Sequence, residues 1–146
     1  MSDKNIQAAD FNIDSSFRHW PGDAAEDRAG PFFSRFNETG IESRFRSSPD
    51  NANMFGQVHG GVLMTFADYT LCMAACCDPD SGEMTPLVTV SMNSEFVSSA
   101  QAGDLVCGQA SITRRGGSLV FVRGQLSVED RVVMTCSAVL KLTRQR

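Results

Sequence analysis

The chain reads as an α+β domain in which a curved antiparallel sheet wraps around one long, buried central helix. Two observations predict this. One segment of helix length is apolar almost all the way round, and everything after it alternates apolar and polar with period two. A helix without a polar face must be covered on most sides. With a single sheet available, the simplest cover is that sheet curled around it.

Residues 1–28 are polar and irregular, with Pro21-Gly22 and scattered acids. They are expected to form a loose arm, with a short helical turn near residues 17–20, ahead of one domain over residues 29–146. Residues 32–36 (FFSRF) and 41–46 (IESRFR) suit two short strands joined by a tight turn through Asn37, Glu38, Thr39 and Gly40. Residues 47–55 (SSPDNANMF) are turn chemistry throughout and read as a loop. The helix is expected over residues 60–77 (GGVLMTFADYTLCMAACC), and the following DPDSG ends it.

In residues 88–96, Val88, Val90, Met92 and Phe96 share one face of the expected strand, and Thr89, Ser91, Asn93 and Glu95 the other. Residues 105–113 form a weaker strand. Val120, Val122, Leu126 and Val128 line up next, and Val132, Met134, Cys136, Ala138, Leu140 and Leu142 make the cleanest stripe. Gly116-Gly117 and Glu129-Asp130 are short enough to be hairpin turns.

A chain of 146 residues, 42% hydrophobic and 21% charged, has the make-up of one ordinary globular domain. Its net charge of -4 argues against a nucleic-acid surface, which needs clustered cations; outside the C-terminal tail the one tight basic pair is Arg114-Arg115. Five cysteines (Cys72, Cys76, Cys77, Cys107, Cys136) cannot all pair, and no zinc-type spacing accompanies the two histidines. Reduced, buried thiols in a cytoplasmic protein without a metal are expected. The N-terminal residues have neither a basic start nor an apolar stretch, so no secretory signal is expected. The apolar segment is too short, and too broken by Asp68, to span a membrane.

The chemistry concentrates in that segment. His59-Gly60-Gly61 opens it, and a helix N-terminus exposes backbone N–H groups able to hold a developing oxyanion. Asp68 is a carboxylate inside an apolar helix, costly to bury without a purpose. Together they point to acyl transfer. Gly60 and Asp68 are eight residues apart, about 12 Å along a helix axis. A base must come within hydrogen-bond reach, directly or through one water. If both groups act on one substrate, they come from two subunits with antiparallel helices about a two-fold axis, and the protein is an isologous dimer.

The succession of elements, with HGG at the helix start, resembles the hotdog-fold acyl-CoA thioesterases, in the branch with the phenylacetate-pathway (PaaI-like) and 4-hydroxybenzoyl-CoA enzymes. The likeness spans roughly residues 30–142. It is carried by Asn53-x5-His59-Gly60-Gly61-x6-Asp68, by VTVSMN at residues 88–93 and by RRGGSLVFV at residues 114–122. The resemblance implies that the Gly60 N–H polarises a thioester carbonyl and that Asp68 is base or nucleophile. It further implies that His59 and Asn53 orient the site and that Thr89 assists the water. Gly61, Arg114, Arg115 and Gly117 become substrate-contacting candidates, the arginines suiting coenzyme A phosphates. Coenzyme A enters as part of the substrate, with no separate cofactor. Hotdog domains join sheets edge to edge, which makes residues 88–96 the candidate joining strand of a homodimer, paired further into a homotetramer.

Hydrolysis of a small aromatic or medium-chain acyl-CoA is the leading expectation. Two alternatives stand beside it: a hotdog hydratase or dehydratase acting on enoyl or hydroxyacyl thioesters, and a non-catalytic acyl-CoA-binding module. The first calls for a histidine near the acyl chain, whereas the residue in the middle of this helix is an acid. The second leaves the buried acid without a purpose.

Overall fold

A computed structural model describes residues 5–143. Its centre is helix α2 (Gly60–Cys76), preceded by a short helix α1 (Ala24–Ala29) and strands β1 (Phe33–Asn37) and β2 (Gly40–Arg46). Four strands follow: β3 (Leu87–Phe96), β4 (Leu105–Arg115), β5 (Leu119–Val128) and β6 (Arg131–Leu142). All neighbours pair antiparallel in one six-stranded sheet of order β1-β2-β4-β5-β6-β3, which leaves β3 at one edge. This is the expected hotdog architecture, with the sheet curved around α2. Among the described residues no helix is long and apolar enough to cross a membrane.

Directly opposed residues in a ladder share a face. The inner face therefore carries Ile41 and Phe45 of β2 opposite Ala110 and Val106 of β4, and Val120, Val122 and Leu126 of β5 opposite Leu140, Ala138 and Met134 of β6. All are buried against α2. The helix contributes Phe66, whose ring centroid lies 5.0 Å from that of Phe32 and 5.5 Å from that of Phe45. Tyr69 donates its hydroxyl to Ser34 Oγ at 2.9 Å, which satisfies a polar tip brought deep into the core.

The helix is not covered all round. Gly61, Thr65, Asp68, Cys72 and Cys76, spaced four, three, four and four apart, make one stripe that is half-buried or exposed. The sheet stops at β3 on this side, so the stripe runs along the sheet's edge.

β3 departs from simple alternation. Thr89 lies opposite Leu140, but Met92 lies opposite Ala138 and Phe96 opposite Met134, with a bulge between Thr89 and Ser91. A bulge adds one residue to one strand and reverses the parity of all that follows. The expected stripe is thus split. Val88 lies opposite Lys141 on the outer face and Val90 sits in the bulge, while Met92 and Phe96 face the helix. Thr89, expected on the polar face with Ser91, faces the helix instead.

Over the described residues 5–28 the N-terminal arm is docked rather than loose, and residues 17–20 form no helical turn. Ala8, Ile13 and Phe17 are buried against Phe33, with Leu105 beside them. Phe33 pairs with Arg44 and Leu105 with Arg46, so this second cluster covers the outer face of the sheet. Arg18 forms a two-bond bridge to Ser34, at 2.9 and 3.0 Å. Three irregularly spaced apolar residues carry no periodic signal, yet they suffice to dock a segment on an apolar patch.

Candidate functional site

Helix α2 begins at His59, whose extended backbone (φ -60°, ψ 135°) turns the chain into the first turn. The His59 ring caps it: Nδ1 accepts the Gly61 N–H at 2.9 Å. The His59 carbonyl accepts the N–H groups of Val62 and Leu63. Gly60 is left with an N–H that has no acceptor among the described residues, at the positive end of the helix dipole. Both glycines sit in tight surroundings, where a side chain would make its neighbour give way slightly. A Cβ on Gly60 would come within 3.3 Å of the Phe96 ring, and one on Gly61 within 3.1 Å of His59 Nδ1. Gly61 lends its N–H to the cap, which leaves Gly60 as the donor open to a ligand.

Asn53 secures the loop ahead of the helix. Its Oδ1 accepts the N–H groups of Phe55 at 2.9 Å and Gln57 at 3.1 Å, an Asx-type turn that holds Met54 and Phe55 out in solvent. Asn51 is the more buried of the two loop asparagines. Its carbonyl accepts the His59 N–H at 2.8 Å, and its Nδ2 donates to the Ala29 carbonyl at 2.8 Å. It therefore ties the helix entry to the end of α1. The signal for it lies in the sequence, because Ser48 and Asn51 form a reciprocal capping box.

Asp68 lies two turns further along α2, half-buried on the uncovered stripe. Thr89 Oγ1 donates to its Oδ1 at 2.7 Å, across the space between α2 and β3. Cys72 Sγ, one helical turn on, lies 3.7 Å from the same oxygen and 3.5 Å from Thr89 Oγ1. Asp68 Oδ2 accepts no hydrogen bond among the described residues, and no buried polar side-chain atom there lacks a partner, so Oδ2 is open to solvent. Thr65, the other hydroxyl on this stripe, donates back to the Gly61 carbonyl at 2.9 Å.

Helix α1 packs on α2 and brings a second carboxyl into the neighbourhood. Burial pushes Glu26 from the ordinary glutamate value of 4.5 up to about 7, and the negative charges of Asp23, Asp68 and Asp27 add to it. Sequence reading missed Glu26, although Asp23-x-x-Glu26 carries a helix-start signal: Asp23 Oδ1 accepts the N–H groups of Ala25 at 3.1 Å and Glu26 at 3.0 Å.

The basic pair divides. Arg115, opposite the buried Val120, reaches inward and donates to the Ala75 carbonyl at 3.0 Å, near the C-terminal end of α2. Arg114 lies opposite Phe121 on the outer face and is exposed, as is Gly117 in the adjoining turn. Ala75 is fifteen residues from Gly60, roughly 22 Å along the axis. Within one protomer the structure joins Asp68 with Thr89, and His59 with Gly60 and Gly61. It keeps these two groups about two helical turns apart, and both arginines farther off. A cavity of about 550 Å³ lies between the β1–β2 turn and the end of α2, lined by Cys76, Cys77 and Arg115. It is remote from Gly60, whose surroundings are open.

Residues 55–135 match the model of the thioesterase superfamily. A protein of Pseudomonas aeruginosa described as a candidate esterase is 29% identical over 117 residues, 80% of this chain and 86% of that protein. Among solved structures, a candidate thioesterase of Ralstonia eutropha related to phenylacetic acid degradation is 28% identical, with a TM-score of 0.71, over 84% of this chain and 92% of its own. A Bacillus halodurans protein solved with coenzyme A shares the fold at 24% identity and a TM-score of 0.66, over 77% of this chain and 74% of its own.

Proposed function

From this chain's membership of the thioesterase superfamily, as a thioester hydrolase with the hotdog fold, we propose that it hydrolyses acyl-CoA thioesters, with a small aromatic or medium-chain acyl group. The observation that carries the reading is the pairing of an open backbone donor at Gly60 with a braced acid at Asp68. The two are too far apart along one helix to meet on one carbonyl.

The site is completed by a second copy of the chain. Two α2 helices run antiparallel, so that Gly60 of one subunit faces Asp68 of the other, and the two β3 edges join to extend the sheet. The exposed stripe of α2, the unpaired edge of β3 and the exposed Val88, Val90 and Phe96 support this reading. Exposed Phe121, on the outer face beside Arg114, suits the pairing of dimers into a tetramer.

In the reaction the thioester oxygen takes up negative charge against the Gly60 N–H. One such donor is worth about 10²–10³ in rate. Asp68 Oδ2 either draws the proton from a water that attacks the carbonyl carbon or attacks that carbon itself to give an anhydride that water then opens. By either route the carbon–sulfur bond breaks, the sulfur gains a proton, and free acid and coenzyme A leave. His59 holds the helix start in place, Asn53 the loop before it, and Thr89 the acid. Of the arginines, Arg114 makes no side-chain bond to the described residues, which suits it to a phosphate, and Arg115 is tied by one nitrogen to the Ala75 carbonyl. The coenzyme A in the Bacillus halodurans relative supports that class of substrate.

The test is release of free thiol from a panel of acyl-CoAs. Thiol release by the wild-type protein that disappears in Asp68→Asn carries the proposal. Equal rates in the two proteins, or no release from any acyl-CoA, overturn it.

A further inference from the structure

The thiol of Cys72 is the one group beside the acid to which the reaction above gives no part. Resting on that reading, we propose that Cys72 is a positioning residue. Its S–H, shared between Asp68 Oδ1 and Thr89 Oγ1, fixes the plane of the Asp68 carboxylate so that Oδ2 is aimed at the reacting centre.

Three side chains form a closed triangle. The Thr89 hydroxyl has a single proton, which it gives to Asp68 Oδ1 at 2.7 Å. Its lone pairs remain free, and Cys72 Sγ stands 3.5 Å from them and 3.7 Å from Oδ1. The thiol proton thus has two acceptors, both belonging to the pair it braces. The i, i+4 spacing on α2 puts Cys72 on the same stripe as the acid.

One hydrogen bond holds one oxygen in place but leaves the carboxylate free to swing about it, since the terminal torsion of an aspartate is broad. A second donor on the same side fixes the plane, and with it the direction of the lone pairs on the unpartnered Oδ2. Among the described residues no other side chain bonds to Asp68, and Thr65, on the same stripe, is turned back to the Gly61 carbonyl.

The thiol is suited to donate and unsuited to attack. Burial, with the charge of Asp68 added, pushes it up to about 12, so it keeps its proton at neutral pH.

The experiment compares wild type with Cys72→Ala, Cys72→Val and Cys72→Ser, using whichever of benzoyl-CoA, phenylacetyl-CoA and hexanoyl-CoA the wild type hydrolyses fastest. Valine fills the space without a donor and stands in if alanine impairs folding. Loss of the donor is expected to lower kcat about five- to tenfold with KM within about twofold, the size of one ordinary hydrogen bond, because a thiol is a weak donor. Serine, which donates, recovers most of that loss. Unchanged kcat in alanine and valine overturns the proposal, as does a serine variant as slow as alanine.

A second readout does not depend on turnover. The S–H stretching band that Cys72→Ser removes from the infrared spectrum is expected to move to higher frequency in Asp68→Asn. A band that stays in place overturns the hydrogen bond. Absence of hydrolysis by wild type with a band that does shift would strike at the acyl-CoA reading and leave the contact standing.

Discussion

Thr89 and Asp68 meet across the one open side of α2, hydroxyl to carboxylate oxygen at 2.7 Å, because a bulge at Val90 turns Thr89 toward the helix. The bond holds the acid where it emerges from an apolar helix. Replacing Asp68 with asparagine keeps the shape and removes the charge. It is expected to abolish thioester hydrolysis while leaving the thermal midpoint close to that of wild type. In Thr89→Val, loss of a bond to a charged acceptor is expected to lower kcat tenfold or more, roughly 1.5–3 kcal/mol. Thr89→Ser should keep most of it. A steady-state comparison of the three checks this.

Gly60→Pro removes the N–H assigned to the carbonyl and little else, because the first position of a helix is where proline is accepted and His59 already has the extended backbone that precedes proline. The ring carbons will press on Phe96, so its folding is checked by circular dichroism. A fall in kcat/KM of about 10²–10³ is expected.

Mixing two inactive proteins tests the shared site. Gly60→Pro and Asp68→Asn, unfolded together and refolded in equal amounts, would give half heterodimers, each with one intact and one doubly defective site. About a quarter of wild-type activity should return. No recovery, with heterodimers shown by mass spectrometry, would place both groups in one subunit's site.

Glu26 makes stability depend on pH in a defined direction. Its folded-state value of about 7 lies above the ordinary 4.5, so between these two the folded protein holds a proton that the unfolded chain has released. Stability from this group is complete below about 4.5 and is lost as pH rises through about 7. The thermal midpoint should fall over that window, and Glu26→Gln should flatten the curve and raise the midpoint at pH 8. The same slope in both proteins would remove Glu26 as its source.

Periodicity made the sheet and the central helix legible, because alternation and an unbroken apolar run report burial directly. The later strands fell within a few residues of their expected bounds. Three things were not legible. The bulge at Val90 leaves no compositional trace, so Thr89 was read onto the wrong face even as a family resemblance singled it out. The arm docks onto Phe33 through Ala8, Ile13 and Phe17, scattered residues without a period. The division of Arg114 from Arg115 was not foreseen: one step along a strand turns a side chain to the opposite face, and Arg115 donates to the Ala75 carbonyl near the end of α2.

A backbone amide can only give a proton, so the ring atom of His59 that meets the Gly61 N–H must offer a lone pair. That settles the tautomer: the neutral imidazole keeps its hydrogen on Nε2, at the rim of the helix mouth. Whatever His59 does for a bound molecule, it does as a giver from that one atom, and the duty of accepting a proton is left to the carboxylate.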